Sequence, residues 1–180
     1  DEANRKVMKT VTLSNEVKRG SFSEEEAKLK AIITSSNSFL LNENVNKYGE
    51  DNNEYRIGSY TIKVEAPKYD SVITQLKLIG EVKSFNELKE DITGQYSNAK
   101  IELETEKSRL ERYNQMYKEA TLVADKITLN DRIFDQERTI KYMEDAIKNM
   151  DTTVEYSTVY LTITEKRSEY AQILFVKFSE

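Results

Sequence analysis

The titratable side chains of this 180-residue sequence are 32 carboxylates, 27 lysines and arginines and 11 tyrosines, with no histidine and no cysteine. That composition removes serine–histidine and cysteine–histidine nucleophiles, the Cys or His zinc site, the axial haem histidine and the disulfide. Carboxylate chemistry remains: a pair of acids can hydrolyse a glycoside, and clustered acids can hold a hard cation. Glu24-Glu25-Glu26 is the densest acidic run, but successive helical residues diverge by about 100° and do not converge on one ion. Asp51-Asn52-Asn53-Glu54 offers oxygens without the spacing or central glycine of a calcium loop. No acid pair is marked by its surroundings. Catalytic, cofactor-binding and metal-binding residues are therefore expected to be none, and the chain is expected not to be an enzyme.

The net charge of −5 and the dispersal of the basic residues argue against nucleic acid and against an anionic bilayer surface, since phosphate binding needs clustered Lys and Arg. No stretch approaches the roughly 18 apolar residues of a membrane helix. Asp1-Glu2-Ala3-Asn4-Arg5-Lys6 is not a signal peptide. Either the protein is soluble throughout, or flanking segments were removed.

The elements that would position any site follow from periodicity. Val7, Val11, Leu13 and Val17 share one parity, with Thr10, Thr12, Ser14 and Glu16 on the other, which predicts a half-buried strand. Ser23-Glu24-Glu25-Glu26 reads as a capping box opening a helix with Ala27, Ala31 and Ile32 inward, ending near Ser36. Phe39 to Tyr48 reads as a second strand, Gly49 to Glu54 as its turn, and Tyr60, Ile62 and Val64 as part of a third. Tyr55 and Ile57 lie on the opposite parity across Gly58, which predicts a bulge there. Pro67 fits a first helical turn, Tyr69, Val72, Ile73 and Leu76 recur at helical spacing, and Gly80 is the expected left-handed cap. A weaker strand runs from Glu81 to about Lys89. The order β-α-β-β-α-β predicts a ferredoxin-like antiparallel sheet with both helices on one face. Thr10, Thr12, Ser14, Thr61, Lys63 and Glu65 would form the solvated face.

From Thr93 to Met150 the period changes. Tyr96, Leu103, Leu110 and Tyr117 are seven apart, as are Ile133, Ile140 and Ile147 across a break near Thr121 to Asp125. This is the pattern of an antiparallel coiled-coil hairpin, each arm roughly 40 Å long, projecting from the sheet. Two registers compete. One pairs Leu103 with Met143, Tyr113 with Ile133 and Tyr117 with Leu129, placing Glu106 near Ile140; the other places Glu106 beside Gln136. The short turn favours the first, with Tyr113 and Tyr117 in the seam. Val159, Leu161 and Ile163 alternate with Tyr156, Thr158, Tyr160 and Thr162 as a fifth strand, and the apolar tail Tyr170 to Phe178 is ambiguous between strand and helix. Residues 1–92 with 151–180 form an α+β sheet domain, and 93–150 an inserted hairpin.

The segments Gly80-Glu81-Val82, Asp91-Ile92-Thr93-Gly94-Gln95-Tyr96, Met150-Asp151 and Glu155-Tyr156-Ser157-Thr158-Val159-Tyr160-Leu161 resemble the bacterial domain-of-unknown-function family 4349. The likeness runs from Arg5-Lys6 to Thr164. Asn37-Ser38 stand where Gly-Gly is usual in that family, and Glu102 and Ala146 where arginines are usual. The resemblance implies a lipoprotein or membrane-anchored protein with its domain outside the cytoplasmic membrane, commonly followed by a transmembrane helix. Some members carry an anti-sigma-like zinc-binding segment before an upstream membrane helix. It brings no catalytic residue.

The expected role is a non-enzymatic, extracytoplasmic interaction or sensing module of a membrane-anchored envelope protein, tethered by segments outside this chain. The hairpin is either a structural insertion alone or an arm whose tip, Ala120 to Ile127, meets a protein partner; self-association through the hairpin is a further use of it. Two alternatives are the outer sensor domain of a membrane anti-sigma regulator, and a carboxylate-based hydrolase. The hydrolase requires a deep pocket with a carboxylate of raised pKa.

Overall fold

The computed structural model describes residues 5–50 and 53–167. In chain order its elements are β1 (Val7–Val17), α1 (Phe22–Ser35), β2 (Phe39–Tyr48), β3 (Tyr55–Glu65), a 3-10 turn (Ala66–Lys68), α2 (Tyr69–Leu76), β4 (Glu81–Asp91), α3 (Thr93–Glu119), α4 (Val123–Glu155) and β5 (Tyr156–Glu165). The fold is α+β: a five-stranded mixed sheet with helices, including a long antiparallel helical hairpin. The apolar tail after Arg167 lies outside the described residues, as do positions 51–52 of the turn after β2. Two compact units divide the chain. One gathers residues through Val7 with Glu90–Val154, the other Met8–Lys89 with the chain from Glu155.

In the sheet-bearing unit the strand order is β2-β3-β5-β1-β4. The element order predicted an antiparallel, ferredoxin-like sheet, and the observed one is mixed. The cause is β5, which inserts between β3 and β1, antiparallel to the first (Tyr60 opposite Leu161) and parallel to the second (Leu13 opposite Leu161). A central strand needs apolar residues that pack well, and Val159, Leu161 and Ile163 are fully buried. They meet Val11, Leu13 and Val17 of β1 and Tyr60, Ile62 and Val64 of β3 in one core. Phe22, Leu29 and Ile33 of α1 and Tyr69, Val72, Ile73 and Leu76 of α2 join that same core, so both helices cover one face as expected. Each such fully buried side chain contributes about 1.5–3 kcal/mol.

Several local expectations are corrected. The helix starts at Phe22, one residue before the proposed capping box: the Ser21 hydroxyl donates to the Lys18 carbonyl, and Ser23 Oγ accepts from the Arg56 guanidinium. Glu26 is not a cap either, because it accepts from the Tyr60 hydroxyl at 2.8 Å. With Phe22 driven inward, the buried face rotates to Leu29 and Ile33, and Ala27 and Ala31 are exposed.

The predicted bulge at Gly58 is absent, since β3 pairs without interruption there; the irregularity falls on β2 between Leu40 and Asn42. Gly58 instead makes room: a Cβ would lie 2.5 Å from Tyr60 Oη, because the Tyr60 ring folds back over it. At the end of α1, Asn37 takes a left-handed φ of 53°, a conformation that asparagine tolerates better than other side chains. Helix α2 closes at Leu76, before Gly80, whose φ of 64° is nonetheless left-handed. Asn15, buried on β1, donates its amide to the Leu76 carbonyl at 2.8 Å, beside the Ile79 amide that the same carbonyl accepts at 3.2 Å.

Candidate interaction site on the helical hairpin

Helices α3 and α4 have 27 and 33 residues, about 40 and 50 Å at 1.5 Å per residue. They are strongly polar on their outer faces, so their stability comes from a narrow seam. Leu103, Ile140 and Ile147 are buried there, with Tyr96, Ala99, Leu110 and Met143 packed against them. The polar exception fixes the register. Gln136, 7% exposed, donates its amide to both the main-chain oxygen and the carboxylate of Glu106. The pairing favoured from the turn length, with Glu106 near Ile140, is therefore overturned in favour of its competitor. A carboxylate and an amide leaving water together satisfy one another, whereas a carboxylate facing isoleucine is left desolvated at a cost of several kcal/mol. Arg109 adds an ion pair to Glu106 at 3.0 Å. Tyr117 is more exposed than a seam position requires, and Lys126 lies over its ring at 5.4 Å.

Two of the segments that carried the resemblance, Asp91–Tyr96 and Asp151, meet Lys6 at the base of the hairpin. Asp91 Oδ1 accepts from the Thr93 amide and hydroxyl at 3.0 and 2.6 Å, the Thr93 hydroxyl accepts from the Lys6 amide, and the Ile92 amide donates to the Lys6 carbonyl. The Lys6 ammonium reaches Asp151 at 2.8 Å and lies 4.6 Å from the Tyr96 ring centroid, and the Tyr96 hydroxyl donates to Asp151. The Lys6 hydrogen bond, ahead of the one from Tyr96, holds the Asp151 carboxyl below its ordinary value, and Asp151 in turn raises Lys6. Hydrogen bonds from Thr93 hold Asp91 low as well. These residues clamp both helices to the segment before β1. The hydrogen bonds and the ion pair together form a structural anchor.

At the other end, Ala120, Thr121 and Leu122 join the helices, close to the break expected near Thr121 to Asp125. The Ala120 amide closes α3 on the Met116 carbonyl, and the Lys126 amide bonds the Leu122 carbonyl. Such a short, hydrogen-bonded turn presents its side chains rigidly. Leu122, Val123 and Ile127 are 64, 73 and 60% exposed. An open cleft of about 430 Å³ beside them is lined by Met116, Glu119, Ala120, Asp125, Thr128 and Leu129. Val123, Ile127 and Phe134, the last 63% exposed, are spaced four and seven apart and share one outer face of α4. The tip was legible in the sequence. Its extension to Phe134 was missed, although outward apolar residues at helical spacing were the available signal.

The other acidic candidates do not assemble a centre. Glu24 and Glu25 pair with Lys28 on the α1 surface, Glu26 binds Tyr60, and Glu54 pairs with Lys47. In a cleft of about 570 Å³ beside α1, the buried Glu165 carboxylate accepts from the Gly20 and Arg56 amides at 2.6 and 2.9 Å. Both oxygens thus serve main-chain donors. Among the described residues, no group of three or more acidic side chains is placed to hold a metal ion, and no helix is long and apolar enough to cross a membrane.

Comparison with curated proteins finds no match, and comparison with solved structures finds none either. A family model described as Domain of unknown function (DUF4349) matches residues 5–173, which include the clamp, both helices and all five strands, and the chain belongs to that family.

Proposed function

We propose that this chain is a non-enzymatic, extracytoplasmic interaction module of a membrane-anchored envelope protein, and that the hairpin tip is its partner-binding surface. The observation that carries the reading is the exposure of Leu122 on a turn only three residues long, and of Val123 and Ile127 on the first turns of α4 that follow it. Contiguous apolar residues on a soluble surface mark interaction sites, and rigid presentation lowers the ordering cost of binding. The partner is a protein with an apolar groove that can take the Val123, Ile127 and Phe134 face of α4, the helix-in-groove mode. Anchoring falls to segments outside this chain, as the family resemblance implies. A ferredoxin-like ancestry of the sheet, with β5 as an added central strand, fits the element order.

Three carboxylates are unsuited to act as a hydrolytic acid. Glu87, Asp91 and Asp151 are each held below the usual range, by Tyr69, Thr93 and Lys6 respectively, whereas a hydrolytic acid needs a raised pKa.

The test is photo-crosslinking in envelope extracts, with a crosslinking residue in place of Val123 and a control in place of Ser108 on α3. Capture of a specific protein from position 123, lost on Leu122→Asp with Ile127→Asp, supports the reading. Recovery of the same partners with those two substitutions removes the tip from the interaction.

A further inference from the structure

We propose that β2 is a self-association edge, pairing antiparallel with β2 of a second copy about a two-fold axis at Val45, so that one sheet runs through both molecules. Among the described residues β2 ends the sheet, and an edge strand offers unpaired main-chain groups to another chain. The irregularity between Leu40 and Asn42 bounds its regular part on one side, and Gly49 on the other. From Asn42 to Tyr48 the strand pairs with β3 residue for residue. Val45, 39% exposed, is the midpoint of that stretch.

The chemistry is symmetric about the same residue. With Val45 opposite its own copy, Glu43 faces Lys47 of the other strand, twice over. Asn44 faces Asn46, and Asn42 faces Tyr48. A perpendicular two-fold keeps each residue opposite one of like parity. Glu43, Val45 and Lys47 would thus lie on the helix side, where Glu43 already meets Lys30 of α1. The alternating asparagines would form an amide row on the other side, continuing the Asn46 to Asn44 hydrogen bond of 3.2 Å within one strand. Moving the axis to Asn44 sets Glu43 against Val45, and moving it to Asn46 sets Lys47 against Val45. Neither pairs the charges. Opposite charges and amide pairs directly across a sheet are favourable, and mismatches are not. Three asparagines in one strand also run against β-propensity, which the amide row accounts for.

Sedimentation velocity over a range of concentrations tests this on the whole chain. The wild type is expected to form a dimer reversibly. Glu43→Lys and Lys47→Glu, checked for folding by circular dichroism, each set two like-charge pairs across the axis and are expected to weaken the dimer at least tenfold. An equimolar mixture of the two variants restores every pair and is expected to dimerise again as a heterodimer. A wild type that stays monomeric overturns the proposal. So does a dimer untouched by both variants, or one weakened by a change on β4 or at the hairpin tip instead, or a mixture that does not recover.

Discussion

Gln136 holds Glu106 across the hairpin seam, with one amide bonded to both the main chain and the carboxylate of that residue. This pair sets which turns of α3 and α4 meet, because the competing register leaves the Glu106 carboxylate against Ile140. Gln136→Leu therefore removes the partner of a half-buried carboxylate and is expected to cost about 1–3 kcal/mol. Glu106→Leu combined with Gln136→Leu should return most of that loss, since an apolar pair fills the seam without an unpaired charge. Urea unfolding of the single and double variants checks both.

The clamp at the hairpin base gives a pH dependence with a definite sign. Asp151, ordinarily near 3.8, is lowered by the Lys6 hydrogen bond, and Lys6, ordinarily near 10.5, is raised by Asp151. The lowered acid contributes stability above its unfolded value that is lost as pH falls through the folded one. The raised lysine contributes below its unfolded value and loses it as pH rises. Asp151→Asn should thus cost most between about pH 4 and 10. Solvent screening of this half-exposed pair keeps the cost to about 0.5 kcal/mol. Thermal unfolding of wild type and variant at pH 3 and pH 7 should show the difference only at the higher pH.

Glu165 is almost fully buried, with each oxygen taken by a main-chain amide, Gly20 on one side and Arg56 on the other. Glu165→Gln keeps one acceptor and turns an NH2 group toward a donor. The expected loss is about 1–3 kcal/mol, read as a lowered urea midpoint with an unchanged slope.

Gly58→Ala should force the Tyr60 ring off the position in which its hydroxyl reaches Glu26. Overpacking of this kind costs about 1–3 kcal/mol. Gly58→Ala combined with Tyr60→Leu removes the clash and should recover part of it, measured by thermal unfolding.

Period-based features were readable because local geometry dictates them. The bounds of β2, the buried positions of α2 and the existence of the hairpin all follow from spacing alone. What failed depended on distant partners. Ser23 and Glu26 have the chemistry of a cap, but Arg56 and Tyr60, far along the chain, claim them. The place of β5 could not be read from its alternation, which suits a central strand and an edge strand alike. Gly58 looked like a bulge because the ring that needs its missing Cβ is visible only in the folded sheet. At the candidate site the tip was legible as the break between heptads. The clamp was not, since Lys6 and Asp151 meet only after the hairpin has doubled back.

The central slot taken by β5 also governs how the molecule can be synthesised. β1 to β4 leave the ribosome before the hairpin is translated, yet the facing sides of β1 and β3 lack their native partner until β5 emerges. At about 5–20 residues per second, reading the intervening stretch takes roughly 4 to 15 s. For that interval the nascent chain carries two raw inner borders, and a chaperone or a neighbouring nascent chain has first access to them.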